Sequence, residues 1–135
     1  TADNGDDVLI GGSGNDKLFA AGGRALLFGG SGADTLTGGS GESILLSGTT
    51  KFDSNLAMID NLLAYWSRTD LDYATRVSNL RAGVSGISPL NSTNVLNDSS
   101  ADTLTAGSGL DWYFAKLSGS SKDTINSQSN DEQVN

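Results

Sequence analysis

Residues 11–19 read GGSGNDKLF and residues 29–37 read GGSGADTLT, two nine-residue units with glycine, aspartate and leucine at the same offsets. Written outward in nines, residues 2–10 read ADNGDDVLI, residues 20–28 AAGGRALLF and residues 38–46 GGSGESILL. A flexible linker would scatter its glycines, whereas fixed offsets mark a structural repeat. The period returns as NDSSADTLT at 97–105, AGSGLDWYF at 106–114 and, after a slip at 115–117, SGSSKDTIN at 118–126; a weaker unit, SPLNSTNVL, precedes them at 88–96. Position eight is apolar throughout: Leu9, Leu18, Leu27, Leu36, Leu45, Val95, Leu104, Tyr113 and Ile125. One inward side chain per short strand requires this, so the column is expected to form the core.

Between the repeat blocks the period changes. Leu56, Ile59, Leu63 and Trp66 fall on one face of a helix, with Asp53 as its expected N-cap. A second helix starts at Asp70 or Asp72, carries Tyr73, Val77 and Leu80 on one side, and stops at Gly83. The expected organisation is one domain, with repeats over 2–48, a helical hairpin inserted over 49–83, and repeats plus a polar tail over 84–135.

Composition narrows the chemistry. The 135 residues hold sixteen acidic and eight basic side chains, a net charge of −8, with neither cysteine nor histidine. Thiolate sites, histidine-ligated zinc or haem, and Ser-His-Asp catalysis are therefore excluded, and the acidic surface disfavours nucleic acid and anionic membranes. Carboxylates and carbonyls remain, hard oxygen donors suited to calcium. The aspartates lack the DxDxDG spelling of an EF-hand, and no phosphate-binding loop or nucleophile motif is present. No stretch is long and apolar enough to span a bilayer, and the start at Thr1 shows no signal peptide, so a piece of a longer protein is expected.

GGSGNDKLF and GGSGADTLT resemble the calcium-binding nonapeptide of the repeats-in-toxin (RTX, hemolysin-type) family, written GGxGxDxUx. The resemblance implies a mainly β fold: a parallel β-roll, or β-solenoid, in which a six-residue turn precedes each three-residue strand and two units make one eighteen-residue coil. Calcium is then expected between turns one coil apart. The first implied site takes Asp16 with the carbonyls of Gly12 and Gly14, joined by Asp34 and the carbonyls of Gly29 and Ser31. A second pairs Asp102 with Asp123, with Asp98, Ser100, Ser118 and Ser120 as further oxygen donors. Asp7 and Asp111 are additional candidates on the alternate turns. There Ala25 and Ser43 stand where aspartate is expected, so metal should be confined mainly to one edge.

The strand residues beside position eight divide the same way. They are Lys17/Phe19 and Thr35/Thr37 on one side, but Val8/Ile10, Leu26/Phe28 and Ile44/Leu46 on the other. An apolar outer face needs a cover, and the amphipathic hairpin is the candidate. Without a catalytic motif a non-enzymatic role is expected, and the family further implies a calcium-binding module of a larger secreted bacterial protein, folding after export by the type I route. The alternative is an adhesion or cell-surface domain that uses the roll as scaffold and the hairpin for an unknown protein or surface partner; solvent-facing Trp66 or Trp112 would favour it.

Overall fold

The structure is a computed structural model that describes residues 1–127 and, in backbone only, residues 133–134. Of the polar tail SQSNDEQVN, only Ser127 and the backbone of residues 133–134 are described. The repeats alternate turn and strand: β1 (Asp7–Ser13), β2 (Lys17–Phe19), β3 (Ala25–Ser31), β4 (Thr35–Thr37) and β5 (Ser43–Leu46). After a pair of helices they resume as β8 (Thr103–Thr105), β9 (Trp112–Phe114), β10 (Thr124–Asn126) and β11 (Gln133–Val134).

Successive strands fall alternately into two parallel sheets. One has the order β1-β3-β5-β9-β11, the other β10-β8-β4-β2. Leu9 lies beside Leu27 and Leu27 beside Leu45, one coil apart, while Leu45 lies beside Tyr113 and Leu36 beside Leu104 across the interruption. Alternation of side chains about a strand explains the result. Position eight points between the sheets, where Leu27, Leu36, Leu45, Leu104 and Tyr113 are fully buried in one cluster with Ala25. Positions seven and nine point outward.

On the five-stranded sheet that outward face is covered over β3, β5 and β9, whereas on β1 Val8 is only partly buried and Ile10 is exposed. Leu26, Phe28, Ile44, Leu46, Trp112 and Phe114 form a second cluster with residues of α1 (Leu56–Trp66) and α2 (Tyr73–Ala82). Helix α1 buries Met58, Ile59, Leu62 and Trp66, so the expected stripe is rotated: Leu56 is 63% exposed and Leu63 only partly buried. Its cap is Asn55, whose Oδ1 accepts from Met58 N at 3.1 Å. Asp53 is instead engaged by the Thr50 backbone N–H and hydroxyl in the preceding turn, which accounts for the displaced cap. Helix α2 is capped by Asp72, accepting from Thr75 N at 2.8 Å, and ends at Gly83 with φ 85°.

The weak unit at 88–96 does not join the inward position-eight column. Strands β6 (Thr49–Thr50) and β7 (Val95–Leu96) pair antiparallel, and Val95 is buried in the helix-facing cluster. The local spelling was outcompeted by the pairing of the interruption's two ends. The excursion from the repeats therefore begins at Thr49 and returns at Asn97, making 84–96 part of it.

Candidate metal centre

Along one edge, the aspartates at position six stack into a ladder. Asp34 Oδ1 accepts from Asp16 N at 2.8 Å, Asp102 Oδ1 from Asp34 N at 2.7 Å, and Asp123 Oδ1 from Asp102 N at 2.9 Å. The spacing along the chain is 18, then 68, then 21 residues, so the ladder passes the helical excursion without a gap. What the sequence suggested as two pairs is one continuous row.

The turns beneath the ladder bring backbone oxygens close. Gly30 and Gly32 have φ of 105° and 121°, a conformation that suits glycine, and side chains there would collide with the carbonyls of Gly12 and Gly14 one coil below. At the first position of each turn, glycine leaves a gap lined with oxygen. A methyl group on Gly11 would meet Gly29 O at 2.5 Å and Asp16 Oδ2 at 2.8 Å; one on Gly29 would meet Ser47 O at 2.6 Å and Asp34 Oδ2 at 2.7 Å. Both Asp16 Oδ2 and Asp34 Oδ2 are buried without a hydrogen-bond partner. A buried carboxylate oxygen lacking a donor is costly, and a cation relieves that cost. Hard oxygens from carboxylate and carbonyl facing one another are the donor set that calcium takes.

Electrostatics agree with this placement. Burial raises the Asp34 carboxyl above its usual range, and the Asp16 and Asp98 charges add to the shift against the opposing Asp16 backbone hydrogen bond. Burial pushes Asp102 up to about 7, reinforced by the charges of Asp123, Asp98 and Asp34 although the Asp34 N–H opposes it. Asp34 and Asp102 thus resist ionising together unless positive charge is supplied. Among the described residues no group of three or more acidic side chains converges as a metal site, so an ion here would draw largely on backbone oxygen.

The other expected donors are distributed unevenly. Ser31 O accepts from Gly14 N at 2.9 Å, tying the first two turns together. Asp98, standing where the earlier turns have glycine, accepts from Gly32 N at 2.8 Å and from Ser100 N at 2.9 Å. Asp123 is held at both oxygens, since Oδ2 takes Lys116 N at 2.7 Å, and Asp123 N donates to Lys116 O. This closure contains the three-residue slip and leaves Ser118 and Ser120 exposed in the loop. The first-position glycine Gly11 and the Ser47 carbonyl went unnoticed in the sequence; counting one coil onward from Gly29 would have pointed to Ser47.

The alternate edge is organised differently. Position six holds Asp7, Ala25, Ser43 and Asp111, and Asp111 Oδ1 accepts from Ser43 N at 2.7 Å. Asp7 Oδ2 is a third buried carboxylate oxygen without a partner. At position five, Arg24 Nε donates to Glu42 Oε2 at 2.9 Å, and the buried Arg76 of α2 meets the same carboxylate. Arg24 Nη1 also donates to Ser67 O and Arg68 O between the helices, and Trp66 Nε1 to Glu42 O.

Residues 1–27 and 22–45 match the family model described as RTX calcium-binding nonapeptide repeat (4 copies). No curated protein and no solved structure matches the chain. With glycine-lined turns and a stacked aspartate edge in hand, residues 1–45 are RTX calcium-binding nonapeptide repeats.

Proposed function

We propose that this chain is a calcium-stabilised β-roll module of a larger secreted bacterial protein, with its helices packed on one face as a permanent cover. The observation that carries the reading is the pair of buried, partnerless oxygens Asp16 Oδ2 and Asp34 Oδ2, each sharing the space at a first-position glycine with a carbonyl of the next coil. Without metal, the row of carboxylates opposes closure of the turns; calcium bridges them and couples binding to folding. Since calcium is scarce inside cells and plentiful outside, the roll completes after export by the type I route. Its part is binding and structural rather than catalytic.

The adhesion reading receives less support. Trp66 and Trp112 are both fully buried, their rings 6.4 Å apart, so the aromatic residues that would greet a partner are spent on covering the roll. Circular dichroism with calcium titrated after chelation tests the proposal, with magnesium as control. A calcium-specific gain of structure and thermal midpoint is expected; an unchanged spectrum and midpoint would sink it.

A further inference from the structure

The third turn of the aspartate edge is not one piece of chain. Ser47 and Gly48 enter it before the excursion, and residues 97–102 complete it afterwards. Gly48 O accepts from Gly30 N at 3.3 Å, and a side chain on Gly48 would collide with the Leu96 carbonyl. From the returning segment, Asp98 and Asp102 accept Gly32 N and Asp34 N of the turn below. The split turn therefore sits on residues 29–34 as an intact turn would, but with the antiparallel pair β6–β7 as a neck between its halves.

Asp34 is 2% exposed, and its partnerless Oδ2 shares the gap at Gly29 with the Ser47 carbonyl. We propose that a calcium ion binds at this split turn through Asp34 Oδ2 and the Ser47 carbonyl, on the turn that Asp98 and Asp102 grip through Gly32 N and Asp34 N, and so clasps both ends of the helical excursion. The site differs from one within the consecutive repeats because its oxygens come from both sides of the excursion's entry, at 34 and 47, while the returning segment 98–102 holds the same turn through hydrogen bonds. It is also distinct from the gap at Gly11, where the nearest oxygens belong to Gly29 and Asp16. The inference rests on the calcium reading above and adds a consequence: metal at the aspartate edge sets how firmly the neck is closed.

Hydrogen exchange of the full chain, in calcium and in chelator, tests this with α2 as internal reference and calorimetry reporting binding. Neck peptides covering 47–51 and 94–98 should gain protection beyond that of α2, about a hundredfold when calcium is a hundred times its Kd. Gly29→Ala fills the split-turn gap and should abolish that gain while leaving binding at Gly11; Gly11→Ala should lose an ion but keep the neck response. Binding without neck protection, equal protection of neck and α2, or a folded Gly29→Ala protein that keeps the neck response would each overturn the split-turn site. The intact-chain comparison decides the matter even where Gly29→Ala does not fold. Absence of any calcium binding would instead defeat the proposed function itself, and the clasp with it.

Discussion

At position six one turn edge carries Asp16, Asp34, Asp102 and Asp123, while the other carries Asp7, Ala25, Ser43 and Asp111. The first stacks like charges and leaves two carboxylate oxygens in want of a cation, against one, Asp7 Oδ2, on the second. The second has removed two of its carboxylates and placed Arg24 and Arg76 on Glu42, so its positive charge is built into the chain. One repeat thus supports two ways of joining coils, by an ion from outside or by guanidinium from within. The difference follows the helices: the edge joined by side chains is the one whose Arg24 and Glu42 also hold the α1–α2 connection.

The largest expected effect separates the edges directly. At calcium a thousand times its Kd each occupied site contributes about 4 kcal/mol, so chelation should lower the thermal midpoint steeply. Asp16→Ala and Asp34→Ala should each diminish the calcium-dependent part of that midpoint, whereas an edge-two variant should not.

Acidity probes the same edge without metal. Asp102 has a folded value raised to about 7 from 3.8, so the folded chain holds its proton more tightly than the unfolded one. Its stabilising contribution is full below pH 4 and lost as pH rises through 7, on the order of 4 kcal/mol at most. Urea midpoints in chelator should fall across that window, and calcium should flatten the profile.

Breaking the second edge should look different. Glu42→Ala leaves the buried Arg76 without its carboxylate, costing about 3 kcal/mol, near the low end for such pairs because Glu42 is partly exposed. Chemical denaturation should give the same loss with calcium and with chelator. A loss that calcium repairs would mean the edges are not independent. The smallest effect is expected at Ser43→Ala, which removes a buried hydroxyl that has no partner and keeps the backbone bond to Asp111. Stability should stay within about 0.5 kcal/mol and the calcium response unchanged.

The nine-residue period was enough to foresee the inward leucine column, the alternation of the strands and the greasy face awaiting helices. These depend on spacing within one or two repeats. What escaped depends on partners far along the chain. Arg76 looks like a surface residue in its helix, yet it is 1% exposed because Glu42, thirty-four positions earlier, is its partner. Val95 reads as a repeat position until Thr50 is seen beside it. Leu56 began the apolar stripe on paper but faces solvent, since Asn55 rather than Asp53 starts the helix and the core lies toward Met58 and Leu62.

The pairing of Thr50 with Val95 makes residues 51–94 a cassette, entering and leaving the scaffold at adjacent points. A short hairpin turn could bridge that doorway and let the coils stack uninterrupted, provided Leu26, Phe28, Ile44 and Leu46 were made polar once their lid was gone. Conversely, an unrelated helical pair with a matching apolar side could be grafted at the same doorway. Exchange of cargo would then leave the row of aspartates in register.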